Sequence, residues 1–189
     1  MNKLRLGLAL TGSYCTFDEV LVAAERLCVQ YEVMPIFSEN AASTDTRFGR
    51  AADFKKRLED MAGRPALCTI RETEPIGPKG LLDILVIAPC TGNTLAKLAH
   101  GVTDTSVTMA AKAHLRNGRP LVVAVSSNDA LSTGAMNLGI LMVRKNVYLV
   151  PFRQDDAEKK PTSLVADFWQ IGAAVEAALA GQQLQPLLL

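Results

Sequence analysis

Ile84-Leu85-Val86-Ile87-Ala88-Pro89-Cys90-Thr91-Gly92-Asn93-Thr94-Leu95-Ala96-Lys97-Leu98 is the stretch on which the fold turns. Ile84–Ala88 is continuously apolar, as expected of a central strand covered on both faces by other elements. Pro89–Asn93 then turns the chain, and a helical pattern begins near Thr94. The same strand–loop–helix unit recurs on either side. Upstream, Leu4–Leu10 runs into Thr11-Gly12-Ser13. Thr16-Phe17-Asp18-Glu19 follows as a capping box, and the helix it opens buries Val20, Leu21, Ala24, Leu27 and Cys28. Tyr31–Phe37 reads as the second strand, ending at Ser38, and Ala66–Ile70 as a short third. A polar loop from Glu39 to Phe48 and a helix over Ala51–Met61, stopped by Gly63 and Pro65, lie between them.

Downstream of the central strand, helices are expected over Thr105–Asn117 and Thr133–Arg144, with strands at Leu121–Val125 and Val147–Val150. Gln154–Pro161 is polar and reads as a surface loop. Leu164, Phe168, Ile171, Val175 and Leu179 mark a last helix over about 163–180, and Leu184–Leu189 form an apolar tail that docks on a partner chain or frays. Alternation of this kind specifies an α/β fold, a doubly wound, mostly parallel six-stranded Rossmann-like sheet of order 3-2-1-4-5-6 flanked by helices. No repeat or linker interrupts it, so 1–189 is expected to form a single domain.

Composition narrows the function classes. Twenty Lys and Arg against nineteen Asp and Glu leave a net charge of +1, which argues against the basic stripe that grips nucleic acid. No apolar run approaches the roughly 20 residues that span a bilayer. The segment from Met1 into Leu4–Leu10 lacks a small-residue cleavage site and reads as a strand, not a signal peptide. Cys15, Cys28, Cys68 and Cys90 form no CxxC pair, and with two His they suggest no metal site. Free thiols in a cytoplasmic setting are expected.

In open α/β sheets, ligands bind outside the carboxyl ends of the strands where strand order reverses, here between the first and fourth strands. The loops that follow those strands, Thr11-Gly12-Ser13 and Pro89–Asn93, carry no G-x-G-x-x-G and no Walker A sequence. Each nevertheless offers hydroxyls and backbone N–H groups before a helix, an arrangement that favours a phosphate or another anion. Thr-Gly-Ser also serves in plain turns.

The segment Ala88–Asp104 resembles the signature of the small FMN-binding flavoproteins that include the cysteine decarboxylases, in which Pro-Ala-Ser-Ala-Asn-Thr is followed by Lys, Gly and Asp. Pro89, Thr91, Asn93, Thr94, Lys97, Gly101 and Asp104 match it, while Cys90 and Gly92 replace the two alanines. The resemblance implies that Thr11, Gly12 and Ser13 hold the flavin phosphate and that Ser38 contacts the cofactor. Pro89, Thr91, Asn93, Thr94 and Lys97 would complete the cradle. Within that family, Ser126–Ser132, Asn137–Leu141, Arg144–Phe152, Gln154–Asp156, Lys159–Pro161 and Ser163–Ala166 resemble the B subunits of the dipicolinate synthases. That resemblance implies formation of dipicolinate, together with an A subunit, from a dihydro- or hydroxytetrahydro-dipicolinate in the mother cell of spore-forming bacteria. It further implies a dicarboxylate substrate, a homo-oligomer, FMN as a possible cofactor and NAD(P) brought by the A subunit. Two other readings stay open: an FMN-dependent decarboxylase or prenyl-transfer flavoprotein, and a non-catalytic stabilising subunit.

The chain departs from the decarboxylases where Ser127-Asn128-Asp129-Ala130 replaces their Pro-x-Met-Asn clamp. Ala135-Met136-Asn137 falls inside the next helix, and no His precedes His100. The candidate catalytic residues are therefore Asn93, Asp129 and His100. Asn93 either orients a ligand or caps the following helix. Asp129, with Asn128 and Ser132 beside it, serves proton transfer or capping, and His100 is either a base or a helix-terminal residue. Lys97 is either a ligand contact or part of a solvated face. Cys15 and Cys90 lie in the two loops as small packing residues or as reactive thiols. His114, Cys28 and Cys68 read as structural, and Lys159 and Lys160 would attract a dicarboxylate.

Overall fold

A computed structural model describes residues 3–189; Met1 and Asn2, at the lead-in to the first strand, lie outside them. The sheet is built from β1 (Arg5–Leu10), β2 (Glu32–Phe37), β3 (Ile84–Cys90), β4 (Leu121–Ser127), β5 (Val147–Leu149), β6 (Phe152–Asp156) and β7 (Lys160–Ala166). Its order is β2-β1-β3-β4-β7-β6, with β5 paired to β4 off this path. All seven residues of β3 are buried, as the continuous apolar run demands. Its neighbours β1 and β4 run parallel to it. Helices α1 (Phe17–Gln30), α3 (Ala51–Ala62), α5 (Gly92–His100), α6 (Ser106–Leu115), α7 (Ala135–Met142) and α8 (Ile171–Leu179) flank the sheet, with the short α2 (Glu39–Ser43) and α4 (Ile70–Thr73) in the connections. No helix among the described residues is long and apolar enough to cross a membrane.

The expected parallel order is present, with departures at both edges. The third expected strand shrinks to a single bridge between Ile36 and Leu67. Pro65 and the Thr69–Glu72 capping box, which starts α4, leave no room for more. The expected loop over Gln154–Pro161 is instead the antiparallel hairpin β6–β7. Its strand β7 crosses the end of β4 through Ser126 opposite Val165 and Ser127 opposite Leu164, while the first half of β4 pairs with β5. The last helix consequently begins at Ile171 rather than near 163, because Leu164 belongs to β7.

Smaller corrections have local causes. Thr16 precedes α1 without capping it, because its hydroxyl donates to the Ser13 carbonyl at 2.9 Å. Residues 39–43 are helical, capped by Ser38, whose Oγ accepts from the Ala41 amide. The apolar tail docks on its own chain: the Phe152 amide donates to Leu187 at 3.0 Å and the Leu189 amide to Phe152 at 3.1 Å.

Candidate functional site

Parallel strands β1 and β3 are neighbours, so the loops 11–13 and 91–92 meet at their carboxyl ends. One side chain ties these loops together. Thr11, 1 % exposed, donates from Oγ1 to the Pro89 carbonyl at 2.8 Å and accepts from the Thr91 amide at 3.0 Å. The Thr11 amide also donates to Pro89, at 3.2 Å. Thr91, not Asn93 or Thr94, caps α5, its Oγ1 accepting from the Thr94 amide at 3.3 Å. Asn93 is thereby released from capping, and its exposed amide makes no hydrogen bond among the described residues.

Gly92 is required by close approach. A Cβ there would fall 2.6 Å from Asp129 Oδ1 and closer still to Ser127 Oγ. Asp129 accepts hydrogen bonds from the hydroxyls of Ser127 and Thr133. The Ser127 bond chiefly, with Thr133 adding to it, holds the carboxyl below its usual range against partial desolvation. This makes Asp129 a stable anion beside the start of α5 and a weak base.

Two clefts open around the tied loops. The first, of about 590 Å³, is lined by Gly12, Ser13, Thr91, Ser127 and Asn128, and on its far wall by the β6–β7 hairpin. Ser13 and Ser126 share a hydroxyl hydrogen bond of 2.7 Å across it. The second, of about 510 Å³, gathers Thr11, Ser38, Asn93, Thr94 and Lys97. Lys97 is paired there with Asp104 at 2.9 Å. The amides of Gly12, Tyr14 and Cys15, between the clefts, make no hydrogen bond among the described residues. Three unspent N–H groups beside the Ser13 hydroxyl, at the approach to a 14-residue helix, form an anion-binding concavity. They fit the phosphate end of a flavin mononucleotide.

Of the sequence candidates, Thr11, Gly12, Ser13, Ser38, Thr91, Asn93, Thr94 and Lys97 thus border these clefts, and Pro89 supports them through its carbonyl. His100 does not. It sits at the far end of α5, eight residues or about 12 Å along the axis from Gly92, and its Nε2 lies 3.0 Å from Asn137 Oδ1. Cys90 is fully buried, and burial pushes its thiol far up, so it packs rather than reacts. Cys15 is exposed at the rim. His114 is buried, its Nε2–H donates to the Pro120 carbonyl at 2.9 Å, and burial lowers its pKa to about 4. Sequence reasoning did not single out Ser126 or Arg153. Ser126 comes to the cleft at the carboxyl end of β4, whereas only the antiparallel return of β7 onto β4 brings Arg153 there, and no local pattern announces that pairing.

Residues 1–158 match the model of a family described as Flavoprotein. The chain belongs to the Flavoprotein family. Among relatives of this flavoprotein, the B subunit of dipicolinate synthase from Bacillus subtilis (strain 168) is 48 % identical over 98 % of this chain and 93 % of its own length. A solved structure of the corresponding dipicolinate synthase B subunit from Bacillus halodurans superposes with a TM-score of 0.91 at 44 % identity, covering 100 % of this chain and 98 % of the other. DmrB from Burkholderia xenovorans, solved in complex with FMN, shares the flavoprotein fold at a TM-score of 0.71 and 21 % identity, over 94 % of this chain and 96 % of its own. At least an enzyme-associated role follows from this kinship.

Proposed function

We propose that residues 1–189 form one flavoprotein-like domain that serves as the B subunit of a dipicolinate synthase, an oxidoreductase. With an A subunit, in the cytoplasm of a sporulating mother cell, it would form pyridine-2,6-dicarboxylate from a dihydro- or hydroxytetrahydro-dipicolinate. The observation that carries this reading is the 48 % identity to such a protein along 98 % of the chain. The decarboxylase reading loses ground at the clamp position, where Asp129 and Ser127 pack on Gly92.

Aromatising a dihydropyridine dicarboxylate removes two electrons and two hydrogens, as a hydride equivalent and a proton; a hydroxylated precursor also loses water. FMN, when bound, or a nicotinamide carried by the A subunit supplies the hydride acceptor. The chain's own residues bind and orient. The Gly12, Tyr14 and Cys15 amides and the Ser13 hydroxyl hold an anionic group, and the unspent Asn93 amide orients a second polar group beside Thr91. Asp129 keeps the β4 loop seated on Gly92 instead of moving protons. Both clefts are open to solvent in the isolated chain, so water exclusion falls to other subunits, of the A kind or further copies of this one.

Co-expressing the A and B subunits and measuring dipicolinate tests the assignment. The pair should outproduce either chain alone, and an A subunit that matches the pair by itself overturns it. Within the pair, Asn93→Ala should lower turnover at least about tenfold, the scale of one lost hydrogen bond to a charged ligand.

A further inference from the structure

Three strands place three residues in one row across the first cleft. Ser126 of β4 lies opposite Val165 of β7, and Val165 lies opposite Arg153 of β6. Directly paired residues put their side chains on the same face of a sheet, and all three line the cleft. At its near end the row is fixed by the Ser126–Ser13 hydrogen bond of 2.7 Å. At its far end, two strand spacings or about 10 Å away between backbones, stands Arg153.

Two cations line this cleft from the hairpin, and they differ in state. Lys160 is committed to Asp155, with Nζ–Oδ2 of 2.6 Å. Arg153 makes no ion pair and no side-chain hydrogen bond among the described residues, so its planar fork of N–H donors is unspent. A guanidinium in that state is matched to a carboxylate, which it holds with two parallel hydrogen bonds.

Resting on the dipicolinate reading above, we propose that Arg153 anchors the second carboxylate of the substrate and sets the preference for dicarboxylates over monocarboxylates. The first carboxylate then lies toward the Ser126 end of the row, leaving the Gly12, Tyr14 and Cys15 amides to the anionic group assigned to them above. The ring spans Val165, whose apolar side chain gives its face a surface free of competing hydrogen bonds. Arg153 is a binding and specificity residue; no bond to hydrogen breaks on it.

Two measurements separate this inference from the reading beneath it. The full-length chain is titrated with pyridine-2,6-dicarboxylate and with pyridine-2-carboxylate. A preference of about 10- to 100-fold for the dicarboxylate is expected, the range of a charge-assisted pair. Arg153→Gln should abolish it without weakening the monocarboxylate, and Arg153→Lys should restore part of it, having charge without the fork. In the A–B pair, Arg153→Gln should raise KM by the same factor and leave kcat near that of the unaltered protein, as loss of uniform binding does. No preference in the unaltered chain, or a preference that survives Arg153→Gln, overturns the role of Arg153 even if the pair makes dipicolinate. A pair that does no better than its A member working by itself overturns the dipicolinate reading instead, while the titration still decides what Arg153 recognises.

Discussion

The two walls of the first cleft are built on opposite principles. On the β1–β3 side, Thr11 is tied to Pro89 and to Thr91 by hydrogen bonds of 2.8 and 3.0 Å, and it is almost wholly out of solvent. On the β6–β7 side, the hairpin touches the main sheet through two residue pairs of β4 and carries the exposed ions Arg153, Asp155 and Lys160. The first wall spends its polar groups on itself, apart from a few backbone amides that make no hydrogen bond among the described residues. The second pairs Lys160 with Asp155 and leaves Arg153 without an ion-pair partner among the described residues. Hydroxyl-rich loops are thus not automatically the recognition surface; here much of their hydrogen-bonding capacity holds the cradle's shape.

Substitutions on each wall can break that contrast. The largest effect is expected from Thr11→Val, which keeps the shape but leaves the Thr91 amide without its acceptor, at a cost of about 2 kcal/mol. A shift in the denaturant midpoint measures it. Asp129→Asn should act next, and through pH. The folded carboxyl titrates below its unfolded value, so its stabilisation is present above about pH 4 and is lost as pH falls through the lowered folded pKa. The variant should therefore show a shallower acid limb of thermal stability than the parent. Asp83 and Glu72, lowered chiefly by the Arg5 side chain and the Cys68 amide respectively, supply the slope that remains. The smallest effect belongs to Lys160→Gln on the hairpin. Its partner Asp155 is partly exposed and the ammonium stands in solvent, so no measurable shift of the unfolding midpoint is expected. If Thr11→Val proved as mild as Lys160→Gln, the contrast between the walls would be lost.

The same contrast explains what the sequence disclosed. Strands β1 to β5 are apolar runs whose burial is written locally in residues such as Ile84–Ala88, and parallel order follows from their alternation with helices. The loops 11–13 and 91–92 that border the clefts were legible because they follow such strands. The hairpin was not: Gln154, Asp155 and Asp156 carry no strand period, and their pairing is set by β7 returning to Ser126 and Ser127, a long-range contact. Capping boxes were not legible. The box expected at Thr16 and Glu19 does not form because the Ser13 carbonyl takes the hydroxyl, while a genuine box at Thr69 and Glu72 stands where a strand was expected. For Asn93 the sequence left two roles open, and Thr91 removes one of them by taking the cap.

The Thr11 tie has a consequence for anyone who would re-engineer this sheet. A threonine that donates to one loop while standing in the other makes the two loops a matched pair, like halves of a mould. A loop transplanted alone from a relative would arrive without its counterpart and leave a buried amide unmet. Grafts that exchange residues 11–13 and 89–92 together should fold, and the hairpin can then be rewritten separately to choose what the mould receives.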